Sequence, residues 1–283
     1  MLSVLFKQPH DMTANAQSIT RILITGASSG LGAAFAAAYA QKLGANAILA
    51  LCGRNEVALH RLADQLKTSF QSTCVVYPAD VRNAVAMQAI ANNFMQAHGT
   101  PHIIIANAGV SRGTLTEHVE DIAAFQAVFE TNLLGMVHTF QPFIEAMKIR
   151  RQLGEPAQLV GIASVAGIRG LPGSGAYSAS KAAAITYLES LRIEMQQYNI
   201  PVTTIAPGYI RTPMTAVNTY RMPFLMDAET FATHALRAIA AQRRFTIIPW
   251  QIGLIARCMR LIPASVWDVI MKNAPHKARH TAE

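Results

Sequence analysis

The chain has 283 residues, 51% of them hydrophobic and only 14% charged, with a formal net charge of +8. It is too apolar for a disordered polypeptide and long enough for one α/β domain with a large core, yet no uninterrupted apolar run reaches the roughly 18 residues of a membrane-spanning helix. Cys52, Cys74 and Cys258 are dispersed and odd in number, which argues against a disulfide framework or a metal site, and residues 1–6 lack the basic and extended apolar segments of an export signal, so a cytoplasmic setting is expected.

After a polar leader over residues 1–20, strand and helix patterns alternate. Residues 22–24 read as a short buried strand and 31–43 as an Ala-rich helix able to pack closely on a sheet. Strand 47–51, helix 55–70, strand 74–77, helix 83–97 and strand 103–105 follow. Residues 122–147 form a long helical stretch interrupted around Gly135. Strand 159–162, helix 177–198 and strand 202–205 complete the series. Continuous apolar strands separated by helices specify a doubly wound parallel sheet covered on both faces, with ligands bound at the C-terminal edge of the strands. Thr25, Asn107, Ser164 and Pro207 each end or follow a strand and should gather at that edge. With no repeat or linker in the chain, residues 21–248 are expected to be one domain, followed by a tail over 249–283.

Three segments carry chemistry. Thr25-Gly26-Ala27-Ser28-Ser29-Gly30-Leu31-Gly32 is a glycine-rich turn between a strand and a helix, which lets backbone N–H groups and a positive helix end approach a pyrophosphate. Ser164 lies in the middle of the chain, and Tyr177-Ser178-Ala179-Ser180-Lys181 follows thirteen residues later. Tyr177 and Lys181, at i and i+4, share a helix face, so the lysine can favour ionisation of a phenol whose ordinary pKa is about 10.

With Asn107-Ala108-Gly109, Asn132 and Pro207-Gly208, these motifs match in type, order and spacing, and over residues 21–214 the chain resembles the short-chain dehydrogenase/reductase family. The resemblance implies a Rossmann-type α/β fold and a catalytic tetrad. Tyr177 would exchange a proton with the substrate oxygen, Ser164 would hydrogen-bond that oxygen, Lys181 would hold the nicotinamide ribose, and Asn132 would anchor a water leading to solvent. It also implies a cofactor site built from Gly26, Ser28, Ser29, Gly30, Leu31 and Gly32. Farther along the chain, Asp80, Val81, Asn107, Ala108 and Gly109 would join it, with Pro207, Gly208, Ile210 and Thr212 completing it beside Tyr177 and Lys181. Asp80 would accept from the adenine amino group; a helix N-cap is its other reading. Ala106 and Ala163 depart from the family's frequent Asn and Ser, without loss of a reacting group.

Cofactor choice rests on the end of the second strand, Cys52-Gly53-Arg54, which has no acid to bind a ribose 2′-hydroxyl. Arg54, helped by Ser28, can clamp a 2′-phosphate, so NADP(H) is preferred over NAD(H).

Residues 213–226 hold Met214, Tyr220 and Phe224, and by resemblance close over the substrate. Soft and aromatic side chains there suit an apolar carbonyl or alcohol, and the C-terminal tail resembles those of family members acting on steroid-, retinoid- or lipid-like substrates. From Arg237 onward eight basic residues face only Asp268 and Glu283. Residues 252–262 project Leu254, Ile255, Cys258, Met259, Leu261 and Ile262 across one arc, opposite Arg257 and Arg260; Pro263 ends this helix and Val266, Trp267, Ile270 and Met271 begin another. Such a C-terminal amphipathic helical tail suits a membrane surface on the cytoplasmic side, or a cover for the pocket or a partner subunit, better than nucleic acid. Both readings stand open. By resemblance, the helices before Gly135 and after Tyr177 would pair in a homodimer or homotetramer. The expected activity is NADP(H)-dependent interconversion of a ketone or aldehyde and an alcohol. The rivals are an NAD-dependent alcohol dehydrogenase of the same family, a sugar-nucleotide epimerase or dehydratase of its extended branch, and a non-catalytic dinucleotide-binding interaction protein.

Overall fold

Alternating side chains within the first strand, β1 (Thr20–Thr25), divide the core in two: Ile22 and Ile24 face one layer of helices and Leu23 faces the other. The computed structural model describes residues 19–274 together with Lys277 and Arg279; the expected leader falls almost wholly outside the described residues. Around β1 lie β2 (Ala47–Gly53), β3 (Thr73–Pro78), β4 (Ile103–Ala106), β5 (Gln158–Ile162), β6 (Val202–Pro207) and β7 (Phe245–Ile248). They form one parallel sheet in the order β3-β2-β1-β4-β5-β6-β7, so the direction of winding reverses between β1 and β4. A crevice opens at that reversal, outside the strands' C-terminal ends.

One face is covered by α1 (Gly30–Leu43), α2 (Glu56–Phe70) and, later in the chain, a helix over Ala228–Ala240, whose Phe231 meets Phe35 of α1 edge-on at 6.0 Å. Alanines along α1 keep it close to the strands, as its composition predicts. The opposite face is covered by α3 (Ala84–His98), by the stretch 122–152 and by α7 (Gly175–Gln196).

The stretch 122–152 is more broken than its periodicity predicts. It runs as α4 (Ile122–Phe129), a π segment (Glu130–Leu134), α5 (Gly135–Phe140), a 3-10 turn containing Pro142, and α6 (Ile144–Gln152). Gly135 is where regular helix resumes; the irregular turn precedes it and contains Asn132. A short helix α8 (Pro213–Ala216) and two paired two-residue strands, Ile210–Arg211 and Met226–Asp227, frame the segment beyond β6. The helix over Ala228–Ala240 is α9, and α10 (Trp250–Leu261) and α11 (Ala264–Met271) end the series of described elements. β7 has no counterpart in the sequence expectation.

α10 packs through Ile252 and Ala256, whereas Leu254, Ile255, Cys258 and Leu261 of the expected apolar arc are exposed. The arc is therefore not the packing face. No described helix is long and apolar enough to cross a membrane.

Candidate active site

The turn between β1 and α1 bends through Gly26 at φ +67° and Gly30 at φ +56°, conformations that glycine adopts without a Cβ penalty. A Cβ on Gly26 would stand 2.9 Å from the Ala108 Cα, and one on Gly32 would run into the Gly26 carbonyl oxygen. Asn107 fixes the other side of the crevice. Its Nδ2 donates to the Thr25 carbonyl at 2.9 Å, and its N–H donates to Thr25 Oγ1 at 3.1 Å, tying the end of β4 to the end of β1. α1 carries no acidic residue in its first turn, and its N-cap Ser29 makes no side-chain capping bond. Its N-terminal N–H groups and positive dipole end thus face the cleft without a competing anion.

The cleft is lined at this end by Gly26, Ser28, Ser29, Gly30 and Leu31, with Gly53, Arg54 and Asn55 beyond them. Arg54 is exposed, and a Cβ on Gly53 would lie 3.3 Å from Ser28 Oγ, so the end of β2 and the glycine turn meet. Asp80 and Val81 line the same side, and the Asp80 carboxylate is held by Arg82: Oδ2 accepts from Nε at 3.0 Å and Nη2 at 2.7 Å, while Oδ1 accepts from the Arg82 N–H at 3.0 Å. Hydrogen bonds to Arg82 keep this carboxyl below the usual carboxylate range, against burial, and Arg54 adds to the effect. The N-cap of α3 is Asn83 and not Asp80, which removes the capping reading of that acid.

At the other end Ser164, Tyr177 and Lys181 meet beside Ala108, Gly109, Pro207, Gly208, Ile210 and Thr212. Ser164 Oγ accepts from the Ala166 N–H at 3.1 Å, which orients the hydroxyl and leaves its own proton to donate. Lys181 Nζ donates to the Ile162 carbonyl at 2.9 Å and lies 5.9 Å from the centre of the Tyr177 ring. Lys181 is almost fully buried, and burial lowers its pKa to about 8. Burial pushes the Tyr177 phenol up, and the Ser164 hydroxyl beside it pulls the other way. The expectation of a phenol lowered by Lys181 is thus not met by the protein groups alone, because removing the phenolate from water outweighs its neighbours.

Asn132 stands behind this group and does not line the cleft. Its Oδ1 accepts from the Val110 N–H at 2.8 Å, and its Nδ2 donates to the Val110 carbonyl at 3.0 Å and to Ser180 Oγ at 3.0 Å. A Cβ on Gly109 would come within 3.2 Å of Asn132 Oδ1 and 3.5 Å of Lys181 Nζ, so the space between them admits only glycine without adjustment. Ser180, unremarked in the sequence, completes the support by donating to the Tyr177 carbonyl at 2.8 Å.

Of the expected substrate residues, Met214 lines the cleft, while Tyr220 and Phe224 do not. Tyr220 stacks edge-on with Tyr209 at 6.3 Å; its phenol is pushed up by burial, with contributions from Tyr209 and Tyr177. Phe224 is 49% exposed in a left-handed turn at φ +55°, a costly conformation for a bulky residue. Among the described residues, no cluster of His, Cys, Asp and Glu is arranged to hold a metal ion.

These residues fit a nicotinamide dinucleotide: a glycine turn and bare helix end for the pyrophosphate, and a buried lysine, a tyrosine and an oriented serine at the far end. A family model described as short chain dehydrogenase matches residues 20–222. The chain is 32% identical over 246 residues to an uncharacterized oxidoreductase of Myxococcus xanthus, covering 87% of this chain and 94% of that protein. It is 36% identical over 195 residues to dehydrogenase/reductase SDR family member 7B of Mus musculus, covering 68% of this chain and 58% of that protein. Among solved structures, a short chain dehydrogenase/reductase from Burkholderia phymatum in complex with NAD superposes with a TM-score of 0.74 at 25% identity, over 94% of this chain and 97% of that one.

Proposed function

The chain belongs to the short-chain dehydrogenase/reductase family and is an NAD(P)-dependent oxidoreductase, and from that premise we propose that it interconverts an apolar ketone or aldehyde with its alcohol and prefers NADP(H). The observation that carries this reading is the meeting of Ser164, Tyr177 and Lys181 at one end of a cleft whose other end holds the glycine turn and Arg54.

The bound dinucleotide supplies or accepts hydride. In the reductive direction Ser164 donates its free proton in a hydrogen bond to the substrate oxygen, and Tyr177 delivers a proton to that same oxygen. A phenol kept protonated by burial is suited to that delivery. Lys181, held by the Ile162 carbonyl, presents its remaining N–H groups to the ribose and places a cation beside the phenolate that proton transfer leaves. Asn132 positions the lysine end through Val110 and Ser180.

NADP(H) preference is supported by Arg54, just beyond β2 where an acid would be needed to favour a free 2′-hydroxyl, and by Ser28 of the glycine turn beside it. Apolar character is supported by Val110, Ile162 and Met214 along the cleft. Self-association is supported by exposed Ile122, Leu134 and Ile193 on the stretch 122–152 and α7. On the tail, Leu254, Ile255 and Leu261 beside Arg257 and Arg260 support an interfacial contact with an anionic membrane.

Turnover of NADPH and NADH with a panel of apolar ketones, aldehydes and alcohols, in the wild type and Tyr177→Phe, tests the reading. The variant is expected to bind NADPH as the wild type does and to lose turnover by about two to four orders of magnitude, the usual contribution of a general acid. Activity within tenfold of the wild type would remove Tyr177 from the chemistry.

A further inference from the structure

The segment after α11 returns to the cleft. Arg279 grips the buried Asp121 carboxylate with two prongs, Nε to Oδ2 at 2.9 Å and Nη2 to Oδ1 at 3.1 Å, and its backbone bridges to Gly113. The Leu115 N–H adds a third hydrogen bond to Asp121 at 2.7 Å. This anchorage carries Lys277 between the loop after β4 and the start of α8. There its Nζ donates to Ser111 Oγ at 3.1 Å and to the Met214 carbonyl at 3.3 Å.

Lys277 is only 9% exposed, and among the described residues no carboxylate pairs with it. Its neighbour Arg279 has both Asp121 and, at 3.9 Å, Glu120. A buried ammonium satisfied by two neutral oxygens bears a desolvation cost that a counter-ion would offset. Two acceptors leave one ammonium proton unspent, and because Ser111 Oγ accepts from the lysine, its own O–H remains free to donate. The two groups therefore offer one charge and two donors, which suits a carboxylate. Val110, adjacent to Ser111, and Met214, whose carbonyl Lys277 holds, line the cleft, so this pair of donors stands directly behind that wall although neither residue itself lines it.

We propose that Lys277 and Ser111 form a carboxylate-recognition end of the substrate site, and that the substrate is amphiphilic, an apolar chain bearing the reacting oxygen and a carboxylate. The inference rests on the oxidoreductase reading for the word substrate, but not for the binding it asserts.

Calorimetry of the NADPH-loaded protein with laurate and with methyl laurate separates the two. Laurate is expected to bind about tenfold more tightly than its ester, as a charge-assisted contact requires. Lys277→Met should abolish that discrimination and Lys277→Arg should retain most of it, with melting temperatures recorded for both variants. Laurate binding no tighter than the ester in the wild type overturns the proposal even if Lys277→Met fails to fold. Discrimination that survives in a folded Lys277→Met protein overturns it as well. If laurate is selected through Lys277 while neither the apolar panel nor carboxylate-bearing ketones and alcohols are turned over, the proposed carbonyl–alcohol reaction falls and the carboxylate site stands.

Discussion

Asn132 and Val110 exchange hydrogen bonds in both directions, side-chain Oδ1 accepting from the Val110 N–H and Nδ2 donating to the Val110 carbonyl. A side-chain amide thus acts as a short strand partner for the loop after β4, and the π segment aims it there. Asn132→Ala leaves two partly buried backbone groups without these partners. The expected cost is about 1–3 kcal/mol for each group left unsatisfied, read from urea denaturation. NADPH affinity should fall with it, because Ala108 and Gly109 lose their support. Unchanged stability and affinity would mean that water replaces the amide at no cost.

Arg54→Ala is expected to weaken NADPH binding by one to two orders of magnitude, the equivalent of a charge-assisted contact of roughly 1.5–3 kcal/mol, and to leave NADH nearly unaffected. Fluorescence titration with both cofactors is the measurement. Equal losses would make Arg54 a structural residue at the head of α2 and undo the NADP(H) preference.

The pH dependence follows from two buried groups. Lys181 has its pKa lowered to about 8 by burial, while the Tyr177 phenol is raised. Reduction requires both protons in place, so reductive kcat/KM should decline as pH rises through about 8, where the lysine is first to lose its charge. Lys181→Arg, which stays protonated, should lack that limb while acting more slowly. A wild-type profile that remains level across this region would assign the limiting ionisation elsewhere.

The sheet and its order of elements were legible because six of its strands are apolar runs set between helical periods, as at Ile22 to Ile24 and Ile103 to Ile105. β7 was not: Phe245–Ile248, set between a pair of arginines and Pro249, has its apolar run broken by Thr246, and its place is set by pairing with β6. Asn132 was legible as a residue of interest, but the five-residue π segment that aims it depends on packing beside Val81 and Val110, which local sequence does not show. The Arg82 grip on Asp80 joins residues two apart whose alignment is set by the turn before α3. Phe224 was placed by the resemblance of its segment to one that closes over substrate, whereas the backbone there turns left-handed and leaves the side chain half exposed. Lys277 reaches Ser111 and Arg279 reaches Asp121, each more than 150 positions earlier and beyond the reach of any periodic signal.

The tail gives a further expectation. With Ile252 and Ala256 packed inward, Leu254, Ile255 and Leu261 are exposed beside Arg257 and Arg260. The protein should sediment with anionic vesicles and be released by salt, since each basic residue near a charged surface contributes about 1 kcal/mol. Arg257→Glu with Arg260→Glu should abolish sedimentation without changing NADPH affinity. Binding to neutral and anionic vesicles alike would leave the arginines without that role.

Anchorage of the substrate wall by Arg279 also orders events in time. The crevice between β1 and β4 is assembled from residues 20–106, paired through β2 and β3 in a contiguous block, and these leave the ribosome early. The wall opposite, from Ser111 to Asp121, receives its last hydrogen bonds only when residues 277 and 279 arrive, across loops whose closure carries the larger entropy cost. A nascent or clipped chain lacking that end would therefore hold its nucleotide cradle while its substrate side is still unlatched, and a protease acting near α11 would change which molecules the enzyme accepts before it changed whether the enzyme is folded.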